Sequence, residues 1–373
     1  MPWLDAHAQV AALTDWLQTE RDDMQNSNSS VKFRSETPLL LADKPWEEGG
    51  ILRAISVMPD VEEGRIRLYY LTWHRDDFTK NALCVAYTSD GFAWEKPDLG
   101  EGHNVVMRGS GRKLNWGCFF PQQVIHDPLE QDPALRWKMV YWDQPGTASP
   151  YGICFAASPD GFAWTPLSDY PAITNVNDGS CLIATHREGP CPWLKSNYLL
   201  YQQTWKYNPD LPVERDNLKN IHRRISLWAS ESIHGKWIGP IVVLEPDKDD
   251  PPDLQFYWLT AFHMKEGFGG FLSCHHTIDQ TMDIQLVTSV DGWTWERRNG
   301  RRPILPLGAL GQFDCGIVSS ISGPMRIGDK VYMLYIGRAR AHDQKLRYPE
   351  LECPDPAAGI GIAELDSDVV SIP

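Results

Sequence analysis

The sequence predicts an all-β fold, a five-bladed β-propeller of four-stranded antiparallel blades preceded by a short N-terminal helix, on three observations. The first is a motif, Thr88-Ser89-Asp90-Gly91-Phe92-Ala93-Trp94, that returns as Ser158-Pro159-Asp160-Gly161-Phe162-Ala163-Trp164 and as Ser289-Val290-Asp291-Gly292-Trp293-Thr294-Trp295. Each copy follows a short apolar strand, and an Asp-Gly pair between strands marks a tight hairpin, because Gly supplies positive φ and Asp bonds its own turn backbone. The second is spacing. Two fainter copies, Ser226 to Glu231 with Gly235 and Trp237, and Gly359 to Asp366, complete a series repeating roughly every 60 to 75 residues, the signature of an array or propeller. The third is composition: 16 Trp, 28 Pro and 29 Gly, with few helical periodicities, suit many short strands and turns.

Taken in order, Pro2 to about Arg21 places Leu4, Ala8, Ala11, Ala12, Trp16 and Leu17 near helical spacing, and Asp22 to Ser30 is a polar linker. Residues 1–30 are therefore a helix and linker, and 31–373 a single propeller domain. If each motif is the turn between the third and fourth strands of a blade, two strands should precede it. They do. Blade one offers Ile51 to Val57 and Arg65 to Leu71; blade two, Phe119 to Ile125 and Trp137 to Trp142. Blade three offers Cys181 to Thr185 and Tyr198 to Gln202; blade four, Gln255 to Thr260 and Gly270 to Ser273; blade five, Gly316 to Ile321 and Val331 to Ile336.

A formal charge of −14 without a Lys/Arg cluster argues against nucleic acid or an anionic membrane as partner. The eight cysteines include no C-x-x-C pair and several sit in apolar strands, which reads as reduced, buried thiols in a cytoplasmic protein. The N-terminus does not read as a signal peptide, and no apolar run is long enough to span a bilayer. The helix, with Trp3 and Trp16, leaves a homo-oligomer open.

The hairpins set the phase of the blades, and the phase aligns residues at the start of each first strand, where the central channel opens. Those positions hold Glu47-Glu48, Asn115-Trp116, Asp178, Asp253 and Asp314. Carboxylates gathered at one channel mouth repel each other and raise some of their pKa values, so catalysis or a bound cation must justify them.

Pro45-Trp46-Glu47, the S-x-D-G-x-x-W hairpins, Gln312-Phe313-Asp314-Cys315-Gly316 and Tyr335-Ile336-Gly337 leading to His342 resemble the five-bladed propeller proteins known as glycoside hydrolase-like, related to the invertase and arabinanase folds. The resemblance runs from about Val31 to the C-terminus and implies a carbohydrate-active enzyme with its site at the channel mouth. The invertase-type N-D-P-N-G and R-D-P signatures are absent, and blade two lacks the channel acid that better-known relatives carry. Mannoside phosphorylases share the same five-bladed shape.

Glycoside hydrolysis needs one carboxylic acid to protonate the leaving oxygen and one carboxylate as base or nucleophile. Asp178 and Asp314 are the first candidates, since small residues follow each (Gly179-Ser180, Cys315-Gly316) and leave open space. Glu47, with longer reach, suits a general acid, and Asp253 is fourth; the competing assignment for each is a carboxylate capping a strand or bonding a neighbouring backbone amide. For substrate contact the strand ends offer Glu48, Arg53, Trp73, His74, Trp116, Trp142, Asp143, Trp205, His275, His276, Arg338 and His342, aromatic faces for sugar rings and polar groups for hydroxyls. Adjacent histidines on a strand point to opposite sides, so His275 and His276 do not share an ion, and neither a metal nor another cofactor is expected. The leading expectation is a glycoside hydrolase acting on a short glycan. The alternatives are a phosphorylase holding phosphate through Arg338, His275 and His342, and a non-catalytic sugar-binding propeller that keeps Trp73, Trp142 and Trp205.

Overall fold

Short apolar runs bounded by Gly, Pro and Asp favour strands joined by tight turns, and the chain is built almost wholly of them. The computed structural model describes residues 31–373 other than 49, 61–63, 75–76, 112–118, 192–193, 210–214, 321, 349, 368–369, 371 and 373. Among the described residues helical structure is confined to four 3-10 turns, and the expected N-terminal helix lies outside them.

The strands follow the chain in successive antiparallel runs. The first pairs Ile51–Asp60, Arg65–Thr72, Ala82–Thr88 and Val105–Arg108 in order. The second pairs Phe120–His126, Trp137–Asp143 and Gly152–Ser158, whose outer edge takes the short pieces Thr165–Pro166 and Ile173–Thr174. The third is Ser180–Cys191, Leu194–Tyr207, Ile221–Ser230 and Ile238–Leu244. The fourth, Leu254–His263, Phe268–His276 and Thr281–Ser289 with short outer pieces, joins the fifth through one parallel pair, Met282 with Ile317, so the two form one ten-stranded sheet. The fifth runs Ile317–Ser320, Lys330–Arg338 and Ala358–Leu365, and its outer strand comes from the other end of the chain, Val31–Arg34. That strand was not read from the sequence, because a run of four residues carries too little alternation to register.

Apolar side chains fill the space between sheets. Leu68, Tyr70 and Cys84 of the first run meet Leu334, Ile336 and Ile362 of the last, while Phe271 and Leu286 of the fourth meet Val331 and Met333 of the fifth. The first sheet thus packs on the last.

The repeated motif adds a second lock between sheets. In the first copy Thr88 Oγ1 accepts from the amides of Asp90 (3.3 Å) and Gly91 (3.0 Å), and Asp90 Oδ1 accepts from Phe92 (2.8 Å) and Ala93 (2.9 Å). The same bonds recur around Ser158 and Asp160 and around Ser289 and Asp291. Gly161 sits at φ +80°, and its carbonyl accepts the hydroxyl of Tyr69 from the preceding sheet at 3.0 Å. Gly292 takes Tyr201 in the same way at 2.7 Å, and Phe92 meets Tyr332 edge-on across the first-to-last junction. The fainter third copy keeps the lock through Trp237, stacked on Phe155 at 5.1 Å.

Candidate functional site

Where the sheets converge lies a cavity of about 530 Å³ with walls from every run: Arg53 and Trp73, Gln122, Asp178 with Gln203 and Trp205, Tyr257 and Trp258, and Ser319 with Arg338 and His342. Two of these side chains are aimed by β-bulges. Pairing skips from Pro121 to Gln123 in the second run and from Phe256 to Trp258 in the fourth, leaving Gln122 and Tyr257 as the extra residues, turned into the cavity.

Asp178 is held by its neighbours' backbone. Gln122 Oε1 accepts from the amides of Gly179 (2.6 Å) and Ser180 (2.7 Å), and the Gln203 amide donates to the Gly179 carbonyl at 2.8 Å. Gly179 has φ +90°, and a Cβ there would stand 3.1 Å from that of Gln203, so glycine allows the chain to turn and leave Asp178 facing the cavity. Burial pushes the Asp178 carboxyl up to about 6, against the pull of Arg53 and, more weakly, Arg223. Among the described residues no cation lies within ion-pair distance of it.

Three guanidinium groups line the same space. Arg53 lies over the Trp258 ring, its Cζ 3.1 Å from the centroid, and burial draws its pKa down to about 9, opposed by the Asp178 charge. Arg338 ends the second strand of the fifth run. Arg223 is neutralised from behind: it grips Asp216 with both terminal nitrogens (2.7 and 3.1 Å) and also donates to Gln255 and Asn217. Tyr257 donates to or accepts from His342 Nε2 at 3.1 Å, and burial raises its hydroxyl to about 12. Gln203 ties the rim together, accepting from Asn177 (2.6 Å) and Trp205 (3.0 Å) while donating to the Tyr257 carbonyl.

The other three carboxylates expected to be catalytic do not line this cavity. Glu47 is buried, accepting from the Tyr70 hydroxyl (2.5 Å), Lys96 Nζ (2.7 Å) and the amides of Asp43 and Lys44. Asp314 is buried against Arg34 Nε and the Tyr335 hydroxyl, both at 2.8 Å. Asp253 is buried below the loop at Thr277 and Ile278. In each the register brought an acid to the strand start, and a partner distant in sequence closed it off.

The expected binding residues divide similarly. Arg53, Trp73, Trp205, Arg338 and His342 line the cavity, with Trp73 packed on Phe78 and Phe120. Glu48 is exposed on a 3-10 turn, and Trp116 lies outside the described residues. His74 is buried with Nε2 3.0 Å from the Trp46 carbonyl, and Trp142 is buried with its indole bonded to the Val176 carbonyl. Asp143 accepts from the amides of Ser110 and Phe119. His275 and His276 point to opposite sides as strand alternation requires: His276 bonds Asp283 at 2.9 Å, whereas His275 lies behind the wall beside Tyr257 and His342. Among the described residues, Asp216, His275 and His342 are those whose donor atoms could meet on one ion.

No protein-family model and no curated protein matches the chain. Solved structures do. The chain shares its fold with glycoside hydrolase-like propeller proteins. One, a glycoside hydrolase, superposes with a TM-score of 0.60 at 12% identity over 93% of this chain and 95% of that one. A β-1,2-mannobiose phosphorylase from Listeria innocua, in complex with β-1,2-mannobiose, gives 0.57 at 12% identity over 90% and 97%. A third, from work on GH130 mannoside phosphorylases and hydrolases that target β-1,2-mannosidic linkages in Candida mannan, gives 0.51 at 14% over 92% and 94%. At such identities the likeness concerns fold alone. No helix among the described residues is long and apolar enough to cross a membrane.

Proposed function

We propose that the five runs are the blades of one propeller, that 31–373 is its catalytic domain, and that the central cavity cleaves a glycosidic bond with inorganic phosphate as acceptor. The observation that carries this reading is the charge of the lining: among the described residues one carboxylate, Asp178, shares it with the guanidinium groups of Arg53 and Arg338, while that of Arg223 is already paired with Asp216. Hydrolysis by either stereochemical route uses two carboxyl groups flanking the bond. Phosphorolysis dispenses with the second, because phosphate brings its own nucleophilic oxygen and requires instead cations to hold it. In a chain of net charge −14 a cation-rich cavity favours an anionic guest.

The step balances with these groups alone. Asp178, raised toward neutrality, gives its proton to the leaving glycosidic oxygen as the bond from the anomeric carbon breaks. A phosphate oxygen, oriented by Arg53 and Arg338, forms the new bond to that carbon. The products are a sugar 1-phosphate and a glycan one residue shorter. Trp73 and Trp205 supply apolar faces for the sugar rings.

The test is a panel of β-linked disaccharides and short oligosaccharides, mannosides included, incubated with and without inorganic phosphate. Sugar 1-phosphate formed only in its presence supports phosphorolysis. Free sugar released at the same rate in phosphate-free buffer reassigns the cavity to hydrolysis, and no cleavage of any glycan under either condition removes the enzyme reading.

A further inference from the structure

We propose that Asp216, His275 and His342 form a site for one divalent transition-metal ion, of the zinc, cobalt or manganese kind, in the wall of the cavity. One donor atom from each residue lies within 4.8 Å of the other two. Three separate segments bring them there: Asp216 precedes the third strand of the third run, His275 is on the second strand of the fourth, and His342 follows the second strand of the fifth. His342 itself lines the cavity.

The second observation is His275. It is fully buried, and neither ring nitrogen has a hydrogen-bond partner among the described residues; Gln280 acts on the ring but falls outside hydrogen-bond geometry. A buried polar group left without a hydrogen-bond partner is costly, and His275 is surrounded instead by the rings of Tyr257 and His342 at 5.6 and 4.9 Å. An ion accepting its lone pair accounts for that placement. Two histidines and one carboxylate with a further position open toward a cavity is the donor set of catalytic zinc and of related first-row ions.

Metal–ligand bonds of about 2.0–2.2 Å would bring the donor atoms to about 3.4 Å apart, so the side chains must close inward on binding, and His342 must release either the Tyr257 hydroxyl from Nε2 or Gln280 from Nδ1. Arg223 orients the Asp216 carboxylate through both its oxygens, each of which retains a lone pair, and its positive charge weakens the site. The site does not depend on the reaction proposed above. An ion there would present its open position to an oxygen of whatever the cavity holds.

The experiment uses the full chain, stripped with a chelator and titrated with Co²⁺ while visible absorption and heat are followed. Expected are one Co²⁺ per chain, the ligand-field bands of a four- or five-coordinate ion, displacement by Zn²⁺ and no displacement by Ca²⁺, which prefers oxygen. His275→Ala and Asp216→Asn, checked for folding by circular dichroism, should each weaken binding at least tenfold. Binding far below one equivalent, a spectrum of hydrated six-coordinate Co²⁺, displacement by Ca²⁺, or undiminished binding in folded variants would overturn the proposal. The wild-type spectrum decides alone if the variants do not fold.

Discussion

Asp178 and Asp314 occupy the same register, each just before the first strand of its run, yet their surroundings differ in kind. Asp314 is matched by Arg34 and by the Tyr335 hydroxyl; Glu47, at the corresponding place in the first run, is matched by Lys96 and the Tyr70 hydroxyl. Around Asp178 there is no such cation at contact distance among the described residues. Its bonds are made instead by the backbone beside it, to Gln122 and Gln203. Repetition therefore supplies a carboxylate at four of the five positions, and the neighbour decides whether it is paired or left facing the cavity. Asp314 and Glu47 are paired with cations, whereas Asp178 faces the cavity.

The contrast predicts opposite responses to the same chemical change. Asp178→Asn removes the acid and should lower kcat/KM by about 10²–10⁴-fold, the usual worth of general acid catalysis, while stability stays level or rises because a desolvated charge is gone. Asp314→Asn should leave chemistry nearly intact in the folded fraction and destabilise the protein by about 3 kcal/mol, because Arg34 and Tyr335 lose their charged acceptor. Steady-state rates and denaturant melts on both variants check this. A stability loss at Asp178 equal to that at Asp314 would erase the distinction between them.

The pH profile sharpens it further. Asp178 must be protonated to act as the acid, and its folded pKa of about 6 sets full competence below pH about 6 and a decline approaching tenfold per unit above it. The sign for stability follows from the same elevation. Between the ordinary carboxyl value and about 6 the folded state binds the proton more tightly, so this group's contribution is greatest at the acid end of that window. It falls as pH rises through it. In Asp178→Asn both slopes should flatten, read from kcat/KM and from melts between pH 4 and 8.

Much of the frame was legible because the motif is local: Thr88, Asp90, Gly91 and Trp94 make their bonds within seven residues, so a single stretch carries the whole turn, and its return marks the next sheet. The strands and the four-stranded antiparallel sheets followed from that phase. What closes the acids was not legible, since Arg34 meets Asp314 across 280 residues and nothing in either stretch announces the other. Gln122 and Tyr257 escaped for another reason. Both are bulge residues, and a reading by strict alternation assigns them to the wrong face. Arg223 did leave a signal, a charge on the side shared by the buried Ile225, Leu227 and Ala229, where an unpaired cation would be costly and a functional or paired one is implied.

The smallest expected effect tests the other half of the comparison, the repeated turns away from the cavity. Asp160 accepts from two amides of its own loop, and those bonds hold its pKa below the usual carboxylate range despite partial burial. Asp160→Ala leaves both amides near solvent, so water replaces part of what is lost, and the expected cost is about 1 kcal/mol with kcat/KM unchanged. Gly161 lies next in the chain, and its carbonyl holds Tyr69 of the preceding sheet, so the loss should register as a lower melting temperature without a shift in substrate affinity. A change in affinity for any glycan would instead show that the turn reaches the cavity, and the division between frame and site would then have to be redrawn through this loop.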